Sequence, residues 1–236
     1  ELVCSYQQDE SVSAIFKLFD VSKKNQAREI FAMEESEGRI GNDFAAYNRN
    51  RNILGIIPVA GSVSYHLLTF DFSVPYSRDF IKVTRKSKWF SQNSDQADNT
   101  ITDLDFDLEG KRAASIDRDG VCLISDTDTD SYISHLQLEN PKKSFTNKCK
   151  WITNLSDSLL LIKYGKAFVN ILDVQKNEME YKLPIRIEEG ECTYGIDLCP
   201  SNNNLLAAAG DDKVIRIFDR RESKIVKTID SHHSDA

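Results

Sequence analysis

The sequence predicts an all-β chain made of repeated four-stranded units, and three observations carry that expectation. Five short apolar runs end in an acidic residue: Ala14–Asp20 (AIFKLFD), Tyr65–Asp71 (YHLLTFD), Gly120–Asp126 (GVCLISD), Ala167–Asp173 (AFVNILD) and Val214–Asp219 (VIRIFD). Their terminal aspartates lie 51, 55, 47 and 46 residues apart. Between them fall further short β-type runs separated by turn residues, and no stretch shows the periodicity of a strong helix. Self-similar elements at this spacing predict stacked sheets sharing one core, the architecture of a β-propeller.

The last interval shows the unit most clearly. Thr193–Leu198 predicts a first strand and Cys199–Asn204 (CPSNNN) a turn, because Pro fixes φ and Asn tolerates left-handed geometry. Leu205–Ala209 predicts a second strand, Gly210–Lys213 a hairpin, Val214–Phe218 a third strand and Lys224–Ile229 a fourth, rich in β-branched residues. The same order recurs in Ile101–Leu138, with turns at Leu108–Gly110 and Asp117–Gly120, and in Lys150–Ile187. Asn42–Phe90 is more degenerate, with strands expected at Ile53–Val59 and His66–Phe72. Five blades are therefore expected at approximately 1–35, 40–90, 100–139, 148–188 and 190–230. Residues 91–99 are polar and read as a loop insert, and 231–236 as the start of a further repeat. Because Leu2–Tyr6 reads as a second strand, the expectation is a set of blades from a larger ring.

The segment Leu205–Arg221 (LLAAAGDDKVIRIFDRR) resembles the second-strand, hairpin and third-strand core of a WD repeat, and Thr228–Ala236 is similar to a repeat end followed by the next opening, with His233 at the histidine position. The resemblance implies a WD-type propeller, usually a ring of about seven blades. It also departs from the pattern. Phe218 stands where the family has Trp, alanines occupy the hydroxyl-bearing strand, and Glu189–Glu191 (EGE) offers no His, so the hydrogen-bonded tetrad of the family is not expected in the last blade. Apolar packing and backbone ladders have to hold it instead.

Composition bounds the chemistry. Hydrophobic residues make up 40% of the chain, sufficient for a core, and the apolar runs are too short to cross a bilayer as helices. A net charge of −7 argues against a broad phosphate-binding surface. The five cysteines lack C-x-x-C spacing, which points to buried thiols in a reducing, intracellular setting, cytoplasmic or nuclear. Asp103, Asp105 and Asp107 alternate along one predicted strand, and Asp126, Asp128 and Asp130 along another. Extended spacing holds such carboxylates about 7 Å apart, too far to close round one cation, so no metal is expected. His66 and His135 read as strand residues, and His232 and His233 accompany no nucleophile or metal motif. The ten glycines form no phosphate loop. No catalytic residue and no cofactor are expected; the class is a non-catalytic scaffold whose partners are other proteins, as in a multi-subunit complex.

Two surfaces carry narrower expectations. Asp212, Asp219 and Arg221 are spaced as in the motif by which many WD proteins dock onto the adaptor of cullin-4 ubiquitin ligases; the resemblance implies that Arg221 pairs with adaptor carboxylates while the two aspartates shape the hairpin around it. Arg220 departs from the apolar residue usual at its position. The basic run Arg78, Lys82, Arg85, Lys86 and Lys88, ending at Trp89 and Phe90, suits an acidic ligand, RNA or a histone-binding role, against the alternative of a charged outer strand that guards an edge. Trp151 is expected to begin a strand and to join the core.

Overall fold

A computed structural model describes residues 2–8, 14–23, 26–35, 45–57, 64–71, 81–87, 101–129, 131–138, 147–152, 159–164, 168–183 and 193–230. Among them every regular element is a β-strand, and the strands form five antiparallel sheets in which neighbours follow chain order. The chain divides into two compact units, residues 1–101 and 102–236. The expected insert at 91–99 and the histidines at 232 and 233 lie outside the described residues.

In the first unit, β1 (Leu2–Gln8), β2 (Ala14–Lys23) and β3 (Gln26–Glu35) make a three-stranded sheet. β4 (Ala45–Asn48), β5 (Ile53–Ile56), β6 (Ser64–Phe70) and β7 (Ile81–Ser87) make a four-stranded one. The β4–β5 turn is closed locally. Asn52 takes φ of 53°, a left-handed conformation that Asn tolerates, and the Asn48 side chain accepts the Arg51 amide at 3.1 Å. Ile53, Leu54, Ile56, Leu67, Leu68 and Phe70 are buried.

The second unit holds three sheets: β8 (Ile101–Phe106) to β11 (Tyr132–Gln137) through β9 (Arg112–Asp117) and β10 (Val121–Asp126); β12 (Lys148–Trp151) to β15 (Glu178–Leu183) through β13 (Leu159–Tyr164) and β14 (Phe168–Asp173); and β16 (Thr193–Cys199) to β19 (Lys224–Asp230) through β17 (Asn202–Gly210) and β18 (Val214–Asp219). Their stacking follows from strand alternation. Leu160, Ile162 and Leu172 point one way, into a seam with Ala114, Ile116, Cys122 and Ile124. Leu159, Leu161 and Ile171 point the other way, onto Leu206, Ala208 and Phe218. The middle sheet is thus buried on both faces, which is why Leu159–Ile162 is an unbroken apolar run rather than an alternating one.

Boundaries differ from the sequence reading at several places: β5 ends at Ile56, β6 runs Ser64–Phe70, and β8 ends at Phe106, which leaves Asp107 beyond the strand on which it was expected. The turn after β16 is only Pro200 and Ser201, since Cys199 already pairs with Asn202, and β17 starts there instead of at Leu205. Trp151 ends β12 rather than opening a strand, and is buried as expected for a core residue. Asp126 and Asp128 do not alternate along one strand: β10 ends at Asp126 and the chain bends through 127–129, while Asp130 lies outside the described residues.

Candidate functional site

The aspartates that mark the repeat have a local job. Asp126 Oδ1 accepts the backbone amides of Asp128 and Thr129, both at 2.8 Å. Asp173 Oδ1 accepts those of Gln175 and Lys176 at 3.0 and 3.2 Å, and Asp219 Oδ1 that of Arg221 at 2.9 Å. Each carboxylate closes the turn that follows the third strand of its sheet, replacing the ladder partners that the chain leaves behind as it turns. The recurring acidic residue is therefore a turn-closing device, repeated at corresponding ends of three stacked sheets.

Arg221 is bound into the same device. Its Nε donates to Asp219 Oδ1 at 3.0 Å and its Nη2 to Oδ2 at 2.6 Å, a bidentate fork, while its side chain stays 62% exposed. The guanidinium beside Asp219 holds that carboxyl down at about 2. Lys176, its Nζ 3.0 Å from Asp173 Oδ2, likewise lowers the Asp173 carboxyl below its ordinary value. Asp212 is elsewhere: it pairs with Arg216 and accepts the Val214 amide at 3.2 Å in the β17–β18 turn. β18 separates the two ends by about 20 Å. The structure brings Asp219 and Arg221 together and leaves Asp212 to shape a different hairpin.

A second cluster, not anticipated as one, lies on the first strands of the three sheets. Asp103 Oδ2 on β8 accepts the Cys149 amide at 3.0 Å, and Asp105 Oδ2 accepts the Trp151 amide at 2.8 Å. These are amides on the edge of β12 that does not face β13. Lys148 Nζ stands 3.8 Å from Asp103 Oδ1, and Lys150 Nζ 4.0 Å from Asp197 Oδ1 on β16. Burial pushes Asp103 up to about 6 against the opposing pull of Lys148, and burial raises Asp105 as well. Alternation had placed Asp103 and Asp105 on one face; what it does not show is that the face meets a neighbouring strand edge. Asp107, past the end of β8, instead accepts the Lys111 amide at 2.8 Å and Arg112 Nε at 2.8 Å, and the Arg112 guanidinium lies 4.8 Å from the Trp151 ring centroid.

A polar network that the sequence did not disclose joins the first two sheets of the unit. Asn147 Nδ2 donates to the carbonyls of Asp117 at 2.7 Å and Arg118 at 3.3 Å, and the Thr102 hydroxyl reaches the carbonyls of Ile116 and Asn147. Asp117 also closes its own hairpin by accepting the Val121 amide at 2.6 Å. Asn147 sits just ahead of β12 in a polar stretch, where an Asn reads as one more turn residue.

Of the basic run, Lys82 is exposed on β7 and Arg85 and Lys86 belong to the same strand. Arg78, Lys88 and Trp89 lie outside the described residues. His66 falls on β6 and His135 on β11. Among the described residues no three His, Cys, Asp or Glu side chains converge as a metal site, and no helix is long and apolar enough to cross a membrane.

Comparison with solved structures decides the architecture. A chain of the crystal structure of the mitotic checkpoint complex superposes at a TM-score of 0.67, with 14% identity, over 97% of this chain and 66% of that one. The fold is a β-propeller. This propeller chain spans 66% of the length of its structural neighbour, and the likeness at that identity is one of fold. No protein-family model matches the sequence, and no curated protein matches it.

Proposed function

We propose that this propeller is a non-catalytic protein-interaction scaffold that presents stiffened loops to protein partners in a larger assembly. The observation that carries the reading is the series of three loops closed by Asp126, Asp173 and Asp219 at corresponding ends of stacked blades. A loop held by its own side-chain acceptor loses less entropy when a partner docks, so binding energy is not spent on ordering it. Lys176 and Arg221 then project from fixed backbones as exposed, ion-paired cations, the kind of anchor on which interfaces concentrate energy.

A narrower reading, docking onto a cullin-4 ligase adaptor, is favoured by the exposure of Arg221. In that mode an adaptor carboxylate competes with Asp219 for the guanidinium fork, so the motif acts through Asp219 and Arg221, with Asp212 supporting the neighbouring turn. A quantitative pull-down from lysate with wild type and Arg221→Ala separates the two. Loss of the adaptor with the variant supports receptor function; an unchanged partner set without the adaptor supports the plain scaffold. Retention of RNA or histones that falls steeply with salt would instead assign the function to the basic run around β7.

A further inference from the structure

The three aspartate-closed loops differ in the side chain that completes the closure. At Asp173 and Asp219 it is a cation: Lys176 Nζ lies 3.0 Å from Asp173 Oδ2, and Arg221 forks onto Asp219. At Asp126 it is a hydroxyl. Thr129 stands three residues past its aspartate, as Lys176 does past Asp173, and donates its Oγ1 proton to Asp126 Oδ1 at 3.1 Å. The same Oγ1 accepts the Ser131 amide at 3.3 Å, and Ser131 Oγ lies 2.7 Å from it. An ammonium or guanidinium keeps its charge near neutral pH. A hydroxyl becomes an anion when a phosphoryl group is transferred to it, so this one loop carries a closure whose sign chemistry reverses.

The stretch holds the hydroxyls of Ser125, Thr127, Thr129 and Ser131, and the fold tells them apart. Ser125 is buried on β10. Thr127 is half-buried and pinned to the turn beside it, its amide donating to Lys111 O at 2.9 Å and its Oγ1 to Gly110 O at 2.7 Å. Thr129 and Ser131 are exposed. Of these two, Thr129 has an acid on either side, Asp128 and Asp130, whereas Ser131 is followed by Tyr132. We infer that Thr129 is the phosphorylation site of an acid-directed Ser/Thr kinase, whose cationic substrate groove the flanking carboxylates fit, and that the phosphate opens the Asp126 turn. In the transfer Thr129 Oγ1 bonds to the γ-phosphorus of Mg-ATP and the bond from that phosphorus to the β,γ-bridging oxygen breaks. ADP leaves, and the hydroxyl proton passes to the base of the kinase. The product sets a charge of about −2 against the Asp126 carboxylate and removes the proton that Oγ1 donated to it. Repulsion at such short range drives Asp126 Oδ1 off the Asp128 and Thr129 amides that it holds at 2.8 Å. One loop is released while the two clasped by Lys176 and Arg221 stay closed, which, on the reading of these loops as partner-presenting, regulates docking at this blade alone.

The full chain, incubated with Mg-ATP and a purified acid-directed Ser/Thr kinase, tests this by tandem mass spectrometry and by amide hydrogen exchange read by NMR. The expected result is phosphate on Thr129, with the Asp128 and Thr129 amides exchanging at least about tenfold faster than in the unmodified chain and the Gln175 and Lys176 amides unchanged. Thr129→Val, which removes the hydroxyl without adding charge, takes up no phosphate at this position and speeds the same amides less. A chain without phosphate on Thr129, phosphate confined to other hydroxyls, exchange unchanged by the modification, or an equal effect from Thr129→Val overturns the inference. None of these outcomes touches the scaffold reading, which the pull-down with Arg221→Ala tests on unmodified protein.

Discussion

The Asp105 carboxylate on β8 accepts the backbone amide of Trp151 on β12 at 2.8 Å, so a side chain of one blade completes the hydrogen bonding of the next blade's edge. Asp103 does likewise for Cys149. Both carboxylates are mostly withdrawn from water, and the amides they serve have few alternatives.

Truncating the acceptor exposes that dependence. Asp105→Ala is expected to destabilise the chain by about 1–3 kcal/mol, the cost of a buried donor left unmade, whereas Asp105→Asn keeps an oxygen in place and recovers most of it. Urea denaturation of the two variants checks the order; equal losses would mean that charge, not the acceptor, is what matters.

Asp103 makes stability depend on pH in the direction opposite to most carboxylates. Its folded-state pKa of about 6 lies above the ~3.9 of an unfolded chain, so the folded form holds the proton more tightly. Its contribution is greatest below about pH 4 and is lost as pH rises through 6, with a gain of about 1–1.5 kcal/mol on going from pH 7.5 to 5. Denaturation at those two pH values is expected to show this gain in wild type relative to Asp103→Asn. A difference independent of pH would remove burial as the controlling effect.

Asn147 serves as a donor, since its Nδ2 faces two carbonyls. Asn147→Asp, which substitutes an acceptor for that donor, is expected to cost more than Asn147→Ala, itself about 1–3 kcal/mol. Thermal unfolding of both variants decides; the reverse order would show that the side chain can turn away.

Arg221 holds Asp219 low, so Arg221→Ala is expected to move the Asp219 carboxyl from about 2 toward the ordinary Asp value. A depressed pKa contributes stability above about pH 4 that is lost as pH falls through 2, and the variant loses that contribution. Carboxyl titration by NMR reads the shift directly. A value still near 2 would assign the effect to the Arg221 and Glu222 amides.

Much of the architecture was legible because it is local. The β-type runs, the hairpins at Asp117–Gly120 and Gly210–Lys213 and the spacing of Asp20, Asp71, Asp126, Asp173 and Asp219 follow from turn chemistry and strand propensity within a few residues. The turn after β16 is shorter than its sequence suggests: Asn202, Asn203 and Asn204 read as turn residues, yet the pairing of Asn202 with Cys199 on β16 carries β17 back through them. The candidate motif was legible only in part. Asp219 and Arg221 are close because they are two residues apart, but strand length, not sequence proximity, carries Asp212 away.

By itself the sequence determined that this chain forms repeated antiparallel units joined by short turns and marked by a recurring aspartate, because those features depend on near neighbours. Tertiary structure alone decided that Asp103 and Asp105 serve the edge of β12 and that Asn147 ties two blades together. Those contacts join residues that can be 46 positions apart, as with Asp105 and Trp151, and a polar side chain shows its partner only once packing has chosen which edge it meets.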